Sequence, residues 1–177
     1  MSGRAIVFIV LALVLAGITA FVARGYLSAE RGELSAQAKH PELATVPWVL
    51  WGHSGGGIWS DVMTTLYPER VAAVFLRSGS FQSRQNFPQP ETPAAAYAVP
   101  VMGNAGVKEQ QSGAWINTLA RAREYRSKDG PAAFAPDPRT GHETGDSRYL
   151  AIPFFDACLA MRLPAKGGHS QNIKPID

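Results

Sequence analysis

The stretch that most constrains this chain runs from Val46 to Trp59: Val-Pro-Trp-Val-Leu-Trp, then Gly-His-Ser-Gly-Gly-Gly, then Ile-Trp. The Val- and Trp-rich run from Val46 to Trp51 reads as a strand that stops abruptly at Gly52. Beyond the glycines, Ile58, Val62 and Leu66 recur at i, i+4 and i+8, the helical period. Strand, Gly-flanked turn and helix, with Ser54 at the turn, form the context in which G-x-S-x-G presents a serine hydroxyl above a sheet. Strand and helix backbones pass close together at such a turn, so Gly52 and Gly56 are expected to remove Cβ atoms that would collide there. The amide of Gly55, next after Ser54 and at a helix N-terminus, would face a developing oxyanion. A structural glycine turn is one alternative. A phosphate-cradling loop is another, but no Lys-Ser/Thr pair follows the glycines.

Trp51-Gly-His-Ser-Gly-Gly-Gly57, followed by Tyr67-Pro68-Glu69-Arg70-Val71, resembles the nucleophile region of α/β-hydrolase esterases and related serine hydrolases. The resemblance spans about Val46 to Leu163, and the elbow is its one sharp motif. It implies an α/β fold with a partly represented hydrolase-like parallel sheet flanked by helices, preceded here by an N-terminal hydrophobic helix.

Composition narrows the alternatives. At 177 residues the chain holds one small domain at most, and 46% hydrophobic residues suffice for a core. Its net charge of +3 comes from scattered Lys and Arg with no basic stripe, which argues against nucleic-acid binding. The single cysteine, Cys158, forbids an intramolecular disulfide and reads as a small buried hydrophobe among Phe154, Phe155, Ala157 and Leu159. No Cys or His pair has metal-ligand spacing, so no metal site is expected.

Residues 1–25 form a hydrophobic anchor or signal segment. Ala5 to Ala23 carries no charge and lies between Arg4 and Arg24, close to the ~20 residues that cross a bilayer. Ala23-Arg24-Gly25 is a poor cleavage site, which favours an uncleaved membrane anchor over a removable signal; a buried core helix would need a polar face. The chain is therefore expected to be membrane-anchored or exported, with topology unreadable from one Arg on each side. Residues 26–45 read as a linker or helix ended by His40-Pro41. Residues 46–164 form the α/β-hydrolase-like domain, and 165–177 a flexible tail. Within the domain, Val71–Leu76 reads as a second strand, Phe81–Thr92 as a loop or lid, and Val99–Met102 as a third strand closed by a Gly103–Gly106 turn. A helix begins at Gly113 and stops at Asp129-Gly130-Pro131. Ala132–Ala135 is a last strand, and Ser147–Met161 a final helix with Asp146 as N-cap and a kink or later start at Pro153.

A serine nucleophile needs a base, and the base an orienting acid. The resemblance implies the chain order serine, acid, histidine, and makes His142, between the last strand and last helix, the base. His53 would point away from Ser54, His40 precedes the domain, and His169 lies in the tail. Glu109 follows the third strand, where the resemblance implies the acid; Asp137 and Glu143 remain alternatives, and Asp129 reads as a turn cap. Trp51, Trp59 and Phe81 supply apolar surroundings suited to a hydrophobic acyl or aryl group. The substrate implied is a small ester or acyl compound cleaved without a cofactor.

The resemblance also implies about four strands before the nucleophile strand and a second oxyanion donor from an early loop. Only about 45 residues precede Val46, with no His-Gly-Gly run among them. An unpaired edge on the nucleophile strand is therefore expected, a route to self-association. Three readings follow: a minimal serine esterase, a truncated hydrolase remnant with little activity, or a membrane-tethered binding module that keeps a hydrolase-like pocket.

Overall fold

The computed structural model describes residues 46–81 and 90–163. The expected anchor at 5–23, the linker with His40, most of the Phe81–Thr92 loop and the tail with His169 lie outside the described residues. Among the described residues no helix is long and apolar enough to cross a membrane.

The chain forms an α/β structure on a four-stranded, all-parallel sheet in the order β1-β2-β3-β4. The elements are β1 (Trp48–His53), α1 (Gly55–Leu66), β2 (Val71–Arg77), a 3-10 turn (Ala94–Ala98), β3 (Val101–Gly106), a second 3-10 turn (Val107–Glu109), α2 (Gly113–Ser127), β4 (Ala132–Asp137) and α3 (Arg148–Arg162). Every residue of β2 is buried, as a central strand covered on both faces requires. One face carries a core of Val71, Val74, Leu76, Val99, Val101 and Tyr125, with Trp48 and Leu50 packed against it. On the other face Ala73 and Phe75 meet Ala151, Phe155 and Cys158 of α3. Cys158 is a free, buried thiol, and burial pushes its pKa up.

Several sequence boundaries shift. The expected Gly103–Gly106 turn belongs to β3, because these glycines serve packing: a Cβ on Gly103 would crowd Phe134 and Thr118, and one on Gly106 would overlap the carbonyls of Thr140 and Gly141. β4 extends through Pro136 to Asp137; as an edge strand it tolerates the missing N–H. Helix α3 starts one residue later than expected, with Ser147 rather than Asp146 at the N-cap position, and continues through Pro153. The outer edge of β1 has no strand partner among the described residues, and Val49 and Trp51 on it are exposed.

Helix α1 departs from its apolar period. Ile58, Val62 and Leu66 are only half-buried, whereas Ser60, Asp61, Thr64 and Thr65 are buried. The hydroxyls satisfy themselves by donating one turn back: Ser60 to Gly56 O, Thr64 to Ser60 O and Thr65 to Asp61 O, at 2.8–3.0 Å. Asp61 accepts from Arg121 Nε of α2 at 3.0 Å and from Phe81 N at 3.0 Å. Arg121 also donates to Thr65, Thr92 and Glu124. This buried charge network ties α1 to α2 where an apolar ridge would ordinarily do so.

Asp61→Ala leaves Arg121 buried without its main counter-charge, and breaking such a pair costs about 3–5 kcal/mol. Chemical denaturation should show that loss; a change under about 1 kcal/mol would mean the network does not join the helices.

Candidate functional site

Because all four strands run parallel, their carboxyl ends share one rim of the sheet, where α/β proteins commonly place ligands. Ser54 follows β1, Ser78 follows β2, Glu109 follows β3 and His142 follows β4. Hydrogen bonds of the sheet type continue beyond the strands and tie these turns together: Ser54 N to Arg77 O at 2.9 Å, Ser78 N to Asn104 O at 2.8 Å, and Lys108 N to Thr140 O at 3.0 Å. The rim is thus backbone-locked before any side chain is considered.

Ser54 has φ 54° and ψ −118°, a conformation that L-residues rarely adopt. Three glycines let the chain turn there. A Cβ on Gly52 would overlap the Gly56 carbonyl, one on Gly79 would overlap Ser54 O, and one on Gly57 would lie 2.6 Å from Gly79 O. Gly56, expected to relieve crowding, has open space at its Cβ position; Gly57 and Gly79 have that role instead. The sequence pattern misplaced the constraint because it concerns contact with the turn after β2, which no local spacing encodes.

Ser54, His142 and Glu109 form one hydrogen-bonded chain. His142 Nε2 lies 2.9 Å from Ser54 Oγ, and His142 Nδ1 lies 2.6 Å from Glu109 Oε2. Glu109 is buried, whereas the His142 side chain is 51% exposed, so the chain runs from core to solvent. The carboxylate has further donors: Ser78 Oγ to Oε1, Gly106 N to Oε1 at 3.3 Å and Ser112 Oγ to Oε2 at 3.4 Å. Burial acts to raise the Glu109 pKa, but hydrogen bonds from Ser78, His142 and Gly106 outweigh it and hold the carboxyl below its ordinary value. Ser112 also caps α2, accepting from Trp115 N at 3.2 Å, so the helix start and the carboxylate share one hydroxyl.

The other residues singled out from the sequence are distributed differently. Gly55 opens α1, whose first amides have no intrahelical acceptor. Trp59 on α1 and Trp51 on β1 are exposed, and Trp51 meets Phe75 edge-on at 5.9 Å between centroids. Phe81 is 5% exposed with the Arg121 guanidinium 4.4 Å above its ring, so it belongs to the core rather than to an open surface. His53 Nε2 lies 2.5 Å from the carbonyl of His142, and the two rings are 5.0 Å apart between centroids. Asp137 lies 3.9 Å from Arg77 Nη2, Glu143 offers its main-chain carbonyl to Arg77, and Asp129 sits in the turn after α2 at φ 59°.

Sequence reasoning missed Ser78, which is buried at φ 50° and bonded to Glu109. Its only signal was position, a small polar residue just past the end of an apolar strand, as Ser54 is past β1. Serine, histidine and carboxylate joined in this order form a relay that can raise the nucleophilicity of the hydroxyl. Among the described residues, no group of His, Cys, Asp and Glu could hold a metal ion. Comparison with protein-family models, with curated proteins and with solved structures found no match.

Two outcomes test this geometry independently of any activity. Ser54→Gly removes the strain of the turn and should stabilise the fold by about 1 kcal/mol, whereas Ser54→Ala should not; equal melting temperatures for the two would mean the turn is unstrained. A carboxyl with a lowered native pKa stabilises the fold fully above its unfolded value of about 4.3 and loses that contribution as pH falls through the native value. Between about pH 5 and pH 3, stability should therefore fall less steeply in Glu109→Gln than in the wild type. Equal slopes would show that Glu109 titrates normally.

Proposed function

We propose that this chain is a serine hydrolase of the α/β-hydrolase type, cleaving a small ester or acyl substrate through an acyl-enzyme. The observation that carries this reading is the unbroken chain Ser54 Oγ, His142 Nε2, His142 Nδ1, Glu109 Oε2 on a serine held at positive φ between a strand and a helix. His142 takes the proton of Ser54 as Oγ attacks the acyl carbon, and Glu109 steadies the imidazolium through Nδ1–H. The Gly55 N–H, at the start of α1, donates to the oxyanion of the tetrahedral intermediate. Collapse of that intermediate breaks the bond to the leaving group, which receives the proton from His142. Water then attacks the acyl-enzyme, with His142 as base, and releases the acid and free Ser54.

Exposed Trp51 and Trp59 favour a hydrophobic acyl or aryl group, so aryl esters should be cleaved in preference to charged peptides. The apolar, uncharged run 5–23 favours a chain tethered to a membrane or exported.

One observation favours a second reading, a hydrolase remnant or tethered binding module that works by association. The outer edge of β1 carries no strand partner among the described residues, and such an edge can pair with another chain.

Labelling of the full-length chain by a fluorophosphonate separates the two readings, because the probe needs an activated serine and a working oxyanion site but no knowledge of the substrate. Labelling that disappears in Ser54→Ala is the expected result. A folded wild-type chain that stays unlabelled would sink the hydrolase proposal and leave the association reading.

A further inference from the structure

The segment that carries His142 is gripped at three successive carbonyls. Arg77 Nε and Nη2 donate to Glu143 O at 2.9 and 2.6 Å, and Nη2 also approaches Gly141 O at 3.4 Å. Between them, His142 O accepts from His53 Nε2 at 2.5 Å. The same guanidinium donates to Thr140 Oγ1 at 2.7 Å and, through Nη1, to Asn104 Oδ1 at 2.7 Å. Asn104 is in turn fixed to β4, its Nδ2 donating to Ala135 O at 2.7 Å. One side chain at the end of β2 thereby joins β3, the end of β4 and the backbone on both sides of His142.

The setting argues that this is more than filling. Arg77 is fully buried and ends a strand whose other six residues, Val71 to Leu76, are all apolar. Burying a guanidinium is costly unless its donors are satisfied, and an apolar residue at this place would avoid the cost. Most of its donors go to main-chain or hydroxyl oxygens of residues 140–143, while the nearest carboxylate, Asp137, stands 3.9 Å away. A planar fork directs its donors at fixed angles, here Nε and Nη2 together onto Glu143 O with Nη2 also toward Gly141 O, which a point charge cannot do.

We infer that Arg77 is a positioning residue: its guanidinium fixes the main chain on both sides of His142 and so holds the imidazole in line between Ser54 Oγ and Glu109 Oε2. The grip on the loop stands on geometry alone; its consequence for Ser54 rests on the proposed hydrolase reading. A displacement of about 1 Å at a reacting group can cost on the order of 10²-fold in rate.

The test is Arg77→Lys in the full-length chain, which keeps a charge beside Asp137 but loses the fork. Hydrogen exchange read by mass spectrometry should show the amides of residues 139–145 exchanging at least about tenfold faster, with the protection of β2 and β3 unchanged. Fluorophosphonate labelling of Ser54 should slow by about 30–100-fold. Unchanged exchange in that segment overturns the inference whatever the labelling does. Faster exchange with labelling at the wild-type rate also overturns it, making Arg77 a structural anchor only. Should the wild type not label at all, the hydrolase proposal fails, and the exchange measurement alone decides whether Arg77 holds the His142 segment. If Arg77→Lys does not fold, Thr140→Val removes one anchor of the guanidinium; it should loosen the same segment and slow labelling by about threefold, and wild-type values for both would overturn the inference.

Discussion

The site depends on how closely three backbone segments approach one another at Ser54. Gly52 meets the first turn of α1, Gly57 meets Gly79, and Gly79 meets the carbonyl of Ser54 itself. Each contact leaves no room for a Cβ, so the end of β1, the start of α1 and the turn after β2 can interlock only with glycine at these points. The positive φ of Ser54 follows from that interlock: the turn must reverse within one residue, and the surrounding packing holds it there. With the serine so placed, the neighbouring carboxyl ends of a parallel sheet bring in the remaining groups. An antiparallel arrangement of the same four strands would divide them between opposite edges.

Buried polar groups hold this arrangement together at two places among the described residues. Arg77 and Arg121 are both fully buried and act at different levels. Arg121, paired with Asp61, joins two helices on one face of the sheet and supports Phe81 at the loop that leaves β2. Arg77 works at the rim and binds the loop that presents His142. Both are recognised by geometry as well as charge, since each has several donors directed at separate acceptors. Such networks favour a single arrangement over looser alternatives only while every member is satisfied.

The same partition explains the exposure of the proposed catalytic residues. Glu109 is sheltered and has four hydrogen-bonding partners, whereas the His142 side chain stands half in solvent and Ser54 is half-buried. The rigid part of the relay is thus its inner end. The outer end lies open, with Gly55 at the start of α1 beside it.

Local sequence determined the elements. Val46–Trp51 and Val71–Leu76 read as strands from their apolar runs, the helices from their period and their Gly or Pro stops, and Ser54 from a motif whose context is entirely sequential. His142 and Glu109 were legible only as residues that follow strands, since chain order makes them candidates and proximity cannot be read from it. Tertiary structure decided the rest. It assigned Gly103 and Gly106 to a strand because neighbouring backbone and side chains occupy the space of their absent Cβ atoms. It turned the polar face of α1 inward because Asp61 finds Arg121 across 60 residues of sequence. It gave Ser78, Arg77 and His53 their places around Glu109 and His142, through contacts that form only when four parallel strands end together. Hydrophobic periodicity reports a residue's immediate surroundings along the chain; a hydrogen bond between strand ends depends on register and topology, which that periodicity does not contain.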